Sequence, residues 1–193
     1  MPGRLGGVAR VVALLLLVAG GGVGSGCAGP AAGARSGTSA PAPVPTREPA
    51  ESEGGACLLL NYDEVTAALG VDFDVAAAST SGETYTCVLQ RVTGALPDLS
   101  LAVSPTLADS TVFGSTVTPK GAAAISDLGK LGYSRSVPAA AGAGPGAEVG
   151  WLSGNQRLMI LRYRTPPGTA AADASALTPK LVTLAKKVDQ ASA

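Results

Sequence analysis

Histidine is absent from the chain, aromatic residues make up only 4% of it, and 14 basic side chains are balanced by 14 acidic ones. Each shortage excludes something. Without histidine there is no imidazole general base and no neutral imidazole metal ligand, so catalysis would need carboxylate, lysine, tyrosine or hydroxyl groups alone. Balanced charge leaves no dense basic field of the kind nucleic acid requires. The sequence also lacks a Gly-x-Ser-x-Gly elbow and a Ser-x-x-Lys motif. No enzyme, metal, cofactor or nucleic-acid partner is therefore expected. Apolar residues reach 46%, but many are alanines that bury little area each.

What is present begins with an export signal. Arg4 and Arg10 precede an uninterrupted apolar run, Val11 to Ala19. As a helix this run would span about 13 Å against roughly 30 Å of bilayer hydrocarbon, too short to cross but suited to a signal-peptide core. Gly20, Gly21 and Gly22 weaken any helical continuation. Ser25-Gly26-Cys27 follows, and here the segment resembles a bacterial lipoprotein signal, in which the cysteine thiol is lipidated and becomes the mature N-terminus. Gly24 departs from that pattern, which usually has a larger aliphatic residue there. Residues 1–26 are thus expected to be a signal peptide and Cys27 the site of diacylglycerol and palmitate attachment. The membrane, through this anchor, is then a partner, with the domain on its extracytoplasmic side. Plain secretion with a free Cys27 and an uncleaved anchor are the alternatives. Export supplies an oxidising compartment in which a disulfide persists.

Residues 27–56 form the expected tether. Ser39 to Pro49 alternates prolines with small and charged residues, a composition that favours polyproline II and cannot offset the entropy of ordering its backbone. It is read as disordered.

Residues 57–193 are expected to be one extracytoplasmic α+β domain, an antiparallel sheet packed against N- and C-terminal helices. Asn61 as N-cap, Glu64 closing a capping box, a Val65–Ala68–Leu69 stripe and Gly70 as terminator predict the first helix. Asp63 and Glu64 suit its positive end, so capping explains this acidic pair better than acid–base chemistry. Gly82 to Thr93 reads as a strand with Tyr85, Cys87 and Leu89 on one face. Cys87 then points inward, where Cys57 can reach it from the helix start, and a structural Cys57–Cys87 disulfide is expected. Asp98 to Ser104 alternates, with Leu99, Leu101 and Val103 facing in. A short helix is placed near Leu107 to Val112, a turn of helix near Gly121 to Ile125, and a mobile loop over Val137 to Ala147.

Glu148 to Arg164 reads as a hairpin with a two-residue Gly154-Asn155 turn. Paired positions then sum to 309, so Trp151 faces Leu158 and Val149 faces Ile160. Met159, Leu161 and Tyr163 make the second face partly apolar, which places this strand centrally or under a cover. Trp151 is read as a core anchor. Leu177, Leu181, Leu184, Ala185 and Val188 form the stripe of a closing helix that starts near Ser175 to Thr178. Asp72 and Asp74 offer too few oxygens for calcium, and Arg162 and Arg164 are read as solvated charges able to meet an anion.

Cys57-Leu58-Leu59-Leu60-Asn61, Glu64-Val65, Leu69-Gly70 and Cys87 together resemble the small actinobacterial lipoproteins that carry domain of unknown function 3558. Asp127-Leu128-Gly129 and Tyr133 are similar to that family's mid-domain turn, although Asp127 stands where the family has glycine. The resemblance implies an extracytoplasmic α+β domain with a Cys57–Cys87 bond and transfers no catalytic residue. The expected function is a non-enzymatic binding or sensing module of the cell envelope, its partner an envelope protein, a wall polymer or a lipid. The alternative is a carrier holding a small apolar molecule between sheet and helices.

Overall fold

Alternating apolar residues at several points of the chain call for a sheet with one buried face, and the computed structural model, which describes residues 47–193, contains one. Helix α1 (Tyr62–Leu69) comes first, then strands β1 (Val75–Ser81), β2 (Thr84–Arg91) and β3 (Gly94–Pro105). A short helix α2 (Ser110–Val112) runs into a wider turn, Phe113–Val117. Strands β4 (Ala123–Ile125), β5 (Leu131–Val137), β6 (Gly146–Leu152) and β7 (Arg157–Arg164) follow, and helices α3 (Ala171–Ala176) and α4 (Thr178–Ala191) end the fold. All seven strands join one antiparallel sheet in the order β1-β2-β3-β7-β6-β5-β4. This is the expected α+β domain, and β7 is central.

The core face carries Cys87, Leu89, Leu99, Leu101, Met159, Leu161, Val149 and Trp151, all fully buried. Helices α1 and α4 pack on each other, and α4 also rests on β5, β6 and β7. Leu181, Leu184, Ala185 and Val188 supply its buried stripe, as the spacing predicts. Helix α1 starts on Asn61, whose side chain accepts the N–H groups of Asp63 and Glu64, and stops at Gly70 in the left-handed conformation. Glu64 does not close the expected capping box; the Asn61 side-chain amide instead donates to Glu51 Oε1 at 2.7 Å.

That contact belongs to a correction. The last ten residues of the expected tether, 47–56, are folded. Two 3-10 turns, Ala50–Glu53 and Gly55–Leu59, precede α1, and Ala50 is fully buried. Arg47 stacks 4.2 Å above the Tyr62 ring and donates to the Phe73 carbonyl at 2.7 Å. One well-placed alanine and one cation–π contact anchor a segment whose composition is otherwise that of a linker. The signal segment, Cys27 and the rest of the tether lie outside the described residues.

Three further expectations are corrected. Residues near Gly121 to Ile125 are not helical: Ala123–Ile125 forms edge strand β4. Val137 to Ala147 is not a mobile loop. Val137 ends β5, Gly146 and Ala147 begin β6, and Ala140 and Ala143 exchange backbone hydrogen bonds in between. Glycine is required here by close approach, because a Cβ on Gly146 would strike the Tyr163 carbonyl and one on Gly144 the Pro166 carbonyl.

The β6–β7 register differs by one residue from the expected one. Trp151 pairs with Met159, Val149 with Leu161 and Leu152 with Leu158. The loop has three residues rather than two, Gln156 taking the left-handed conformation at φ 63°. A type I turn followed by a left-handed residue is the usual three-residue hairpin. Ser153 holds it, accepting the Arg157 N–H at 3.1 Å and donating to Asn155 Oδ1 at 2.5 Å.

Candidate functional site

The Cys57–Cys87 bond fixes the first element of the site. Both cysteines are fully buried, with α-carbons 4.9 Å apart, and they tie the Gly55–Leu59 turn onto the sheet. In that turn Leu60 and Cys57 go inward, so Leu58 is forced outward and is 62% exposed. Tyr85 on β2 is 47% exposed although it shares the core face of Cys87 and Leu89.

The result is an open groove of about 400 Å³ between the turn and the sheet, bounded by Leu58, Leu59, Tyr85, Val103, Pro105 and Arg157. Pairing places Tyr85 beside Val103 and Pro105 beside Arg157, which aligns the floor along the strand ends. Arg157 is the sole charged side chain in this lining. Among the described residues its guanidinium makes no ion pair or hydrogen bond, whereas Arg47, Arg91, Arg135, Arg162 and Arg164 each have a partner.

The opposite sheet face holds a different constellation. Glu148, 2% exposed, lies between Arg135 on β5 and Arg162 on β7. Arg135 donates from Nε at 2.7 Å and from Nη2 at 3.2 Å, and Arg162 from Nε at 2.8 Å and from Nη2. The Tyr133 hydroxyl adds a fifth donor at 3.1 Å. Burial pushes the Glu148 carboxyl up, but the two guanidinium groups outweigh it and hold the group below its ordinary value of 4.5. Tyr133 is pushed up to about 12 by burial and by the Glu148 charge. Beside this cluster Asp98, equally buried, accepts Arg164 through both oxygens. Arg162 and Arg164 are therefore not free solvated charges; each braces a buried carboxylate.

These pairs set an expected pH dependence. The Glu148 contribution is present above the unfolded carboxyl value near 4.5 and is lost as pH falls through the lower folded value. The Tyr133 contribution is present below pH 10 and is lost as pH rises towards about 12. Glu148→Gln should cost about 1–2 kcal/mol at neutral pH, since it removes the charge that two partly exposed guanidinium groups share, and should flatten the acid limb. Urea midpoints of both proteins at pH 7 and pH 4 check this; an unchanged acid limb would contradict the assignment.

The other singled-out residues are placed as follows. Asp63 is exposed and pairs with Arg47, and Glu64 is exposed at the helix start. Asp74 accepts the Val92 N–H at 2.6 Å while Phe73 beside it is fully buried, so the Asp72–Asp74 stretch is a strand-end turn. Among the described residues, no group of three or more Asp, Glu, Cys or His gathers as metal ligands, and no helix is long and apolar enough to cross a membrane. Leu58, Tyr85 and Arg157 as one site, and Arg135 with Glu148 as another, were not foreseen from the sequence. Comparison of the chain with family models, curated proteins and solved structures finds no match.

Proposed function

We propose that this chain is a lipoprotein held by lipidated Cys27 on the extracytoplasmic side of the cell membrane, its domain a non-enzymatic binding module of the envelope. The likeness to the domain of unknown function 3558 lipoproteins belongs to the same proposal. Its support on the sequence side is the short apolar run Val11 to Ala19 followed by Ser25-Gly26-Cys27. On the structural side it is a disulfide, which an exported domain can keep and a cytosolic one rarely does.

One observation carries the binding reading: the apolar groove beside that disulfide, in which Leu58 of the turn and Tyr85 of the sheet stay exposed. Leu58 and Tyr85 are 62% and 47% exposed, so each forgoes about 1 kcal/mol of burial, which suits a surface completed by something else. The groove also favours a carrier of a small apolar molecule as the second reading, because its volume lies within the range of roughly 300–1,000 Å³ typical of ligand pockets.

Site-specific photocrosslinking in intact cells tests the proposal. A photoreactive residue at Leu58 should give discrete envelope adducts, whereas one at exposed Lys187 on α4 should give none. Adducts from both positions alike, or from neither, would refute a binding role for the groove.

A further inference from the structure

We infer that the groove binds a single-chain amphiphile with an anionic head, a long-chain fatty carboxylate, with its tail along Tyr85 and Val103 and its head at Arg157. The inference rests on the binding-module reading and names the ligand class of that site.

Three features of the groove select this occupant. Leu58, Leu59, Tyr85, Val103 and Pro105 make the wall mostly apolar, which suits a hydrocarbon chain and offers a sugar or peptide few groups to hydrogen-bond. Arg157 sits at one end, next to Pro105 across the β3–β7 pair. Among the described residues its guanidinium has no partner, and no acidic side chain joins it in the lining. A guanidinium matches a carboxylate in a fork-to-fork pair. An apolar trough ending in one cation that has no partner among the described residues is complementary to a molecule with one apolar tail and one negative head.

Size argues for a small molecule over a protein. A stable protein interface takes about 800 Å² from each partner, some 20–30 residues a side, and this groove is lined by far fewer. Two acyl chains would need more than its roughly 400 Å³, which disfavours a diacyl lipid. The Arg135–Glu148–Arg162 face does not compete for the anion, because its guanidinium groups already share buried carboxylates.

The test uses the full chain reconstituted in nanodiscs of neutral phospholipid and a diazirine-bearing palmitate, with the matching diazirine hexadecanol as uncharged control. Photoadducts of the palmitate probe should map to peptides containing Leu58, Tyr85 or Val103, and the alcohol should label these about fivefold less, as loss of one partly exposed ion pair implies. Arg157→Gln should equalise the two probes, and Arg157→Glu should shift preference to a diazirine alkylammonium. Arg157 is exposed and has no side-chain partner among the described residues, so the protected Cys57–Cys87 disulfide should persist in both variants and report an intact fold. Equal labelling by acid and alcohol in the unsubstituted protein, or adducts mapping outside the groove, would overturn the inference. Leu58 crosslinks to an envelope protein without palmitate labelling would overturn it too, while leaving the binding module standing.

Discussion

Trp151→Ala should cost about 3–5 kcal/mol, the largest loss expected from any single truncation in the domain. That is a large part of a typical total of roughly 5–15 kcal/mol. Trp151 is fully buried on the core face of β6 and is the single tryptophan of the chain. Its indole Nε1 donates to Asp189 Oδ1 at 2.9 Å, and Asp189 Oδ2 accepts the Gly129 N–H at 3.1 Å. Truncation would thus empty a large volume and also release the link that fastens α4 to the sheet. Gly129 belongs to this joint: it adopts φ 56°, and a Cβ there would strike the Leu152 carbonyl. Trp151→Phe separates the two contributions, since it keeps most of the packing and removes the N–H. Far-ultraviolet circular dichroism across a urea titration reads both, with the phenylalanine variant expected to lose about a third to a half as much. Equal losses in the two variants would show that packing contributes little there.

Replacing Cys57 and Cys87 together by alanine should cost about 3 to 4 kcal/mol, the chain-entropy value for a closed loop of some 30 residues. The double variant is the cleaner choice because each single one leaves a reactive thiol. Its consequence reaches beyond stability. The bond holds the Gly55–Leu59 turn against β2, and that turn supplies Leu58 and Leu59 to the groove. Leu58 crosslinking should therefore weaken at urea concentrations where the sheet itself is intact. An unchanged unfolding midpoint would contradict the role given to the disulfide.

Most of the helices and the half-buried strands were legible because their signals are local. Asn61 caps where an N-cap residue precedes an apolar stripe, and Gly70 terminates where a left-handed residue is needed. Leu99, Leu101 and Val103 alternate and are buried. Strands β1 and β5 were not legible, since Val75–Ser81 and Leu131–Val137 are rich in alanine, serine and glycine, residues with little strand signature. The hairpin shows a subtler limit. Both faces of β7 are apolar, Leu158 and Ile160 on one and Met159 and Leu161 on the other. A slip of one residue therefore exchanged one apolar face for another and the pattern did not penalise it.

That slip also concealed a site. In the two-residue-turn register Glu148 would face Leu161, and only the observed three-residue loop sets it beside Arg162. A left-handed Gln156 is what makes the difference, and glutamine carries no signal for that conformation. The groove was hidden for another reason. Three consecutive leucines carry no signal of which one points out, and in the structure Leu60 goes in while Leu58 stays out beside the disulfide.

One mass measurement tests both the proposed lipid anchor at Cys27 and the Cys57–Cys87 disulfide. Protein extracted from membranes and digested without reductant should give an N-terminal peptide that starts at an acylated Cys27. The same digest should contain the peptides of Cys57 and Cys87 joined to each other. An unmodified peptide running through Gly26 and Cys27, or Cys57 and Cys87 recovered as free thiols, would contradict the anchor or the disulfide, respectively.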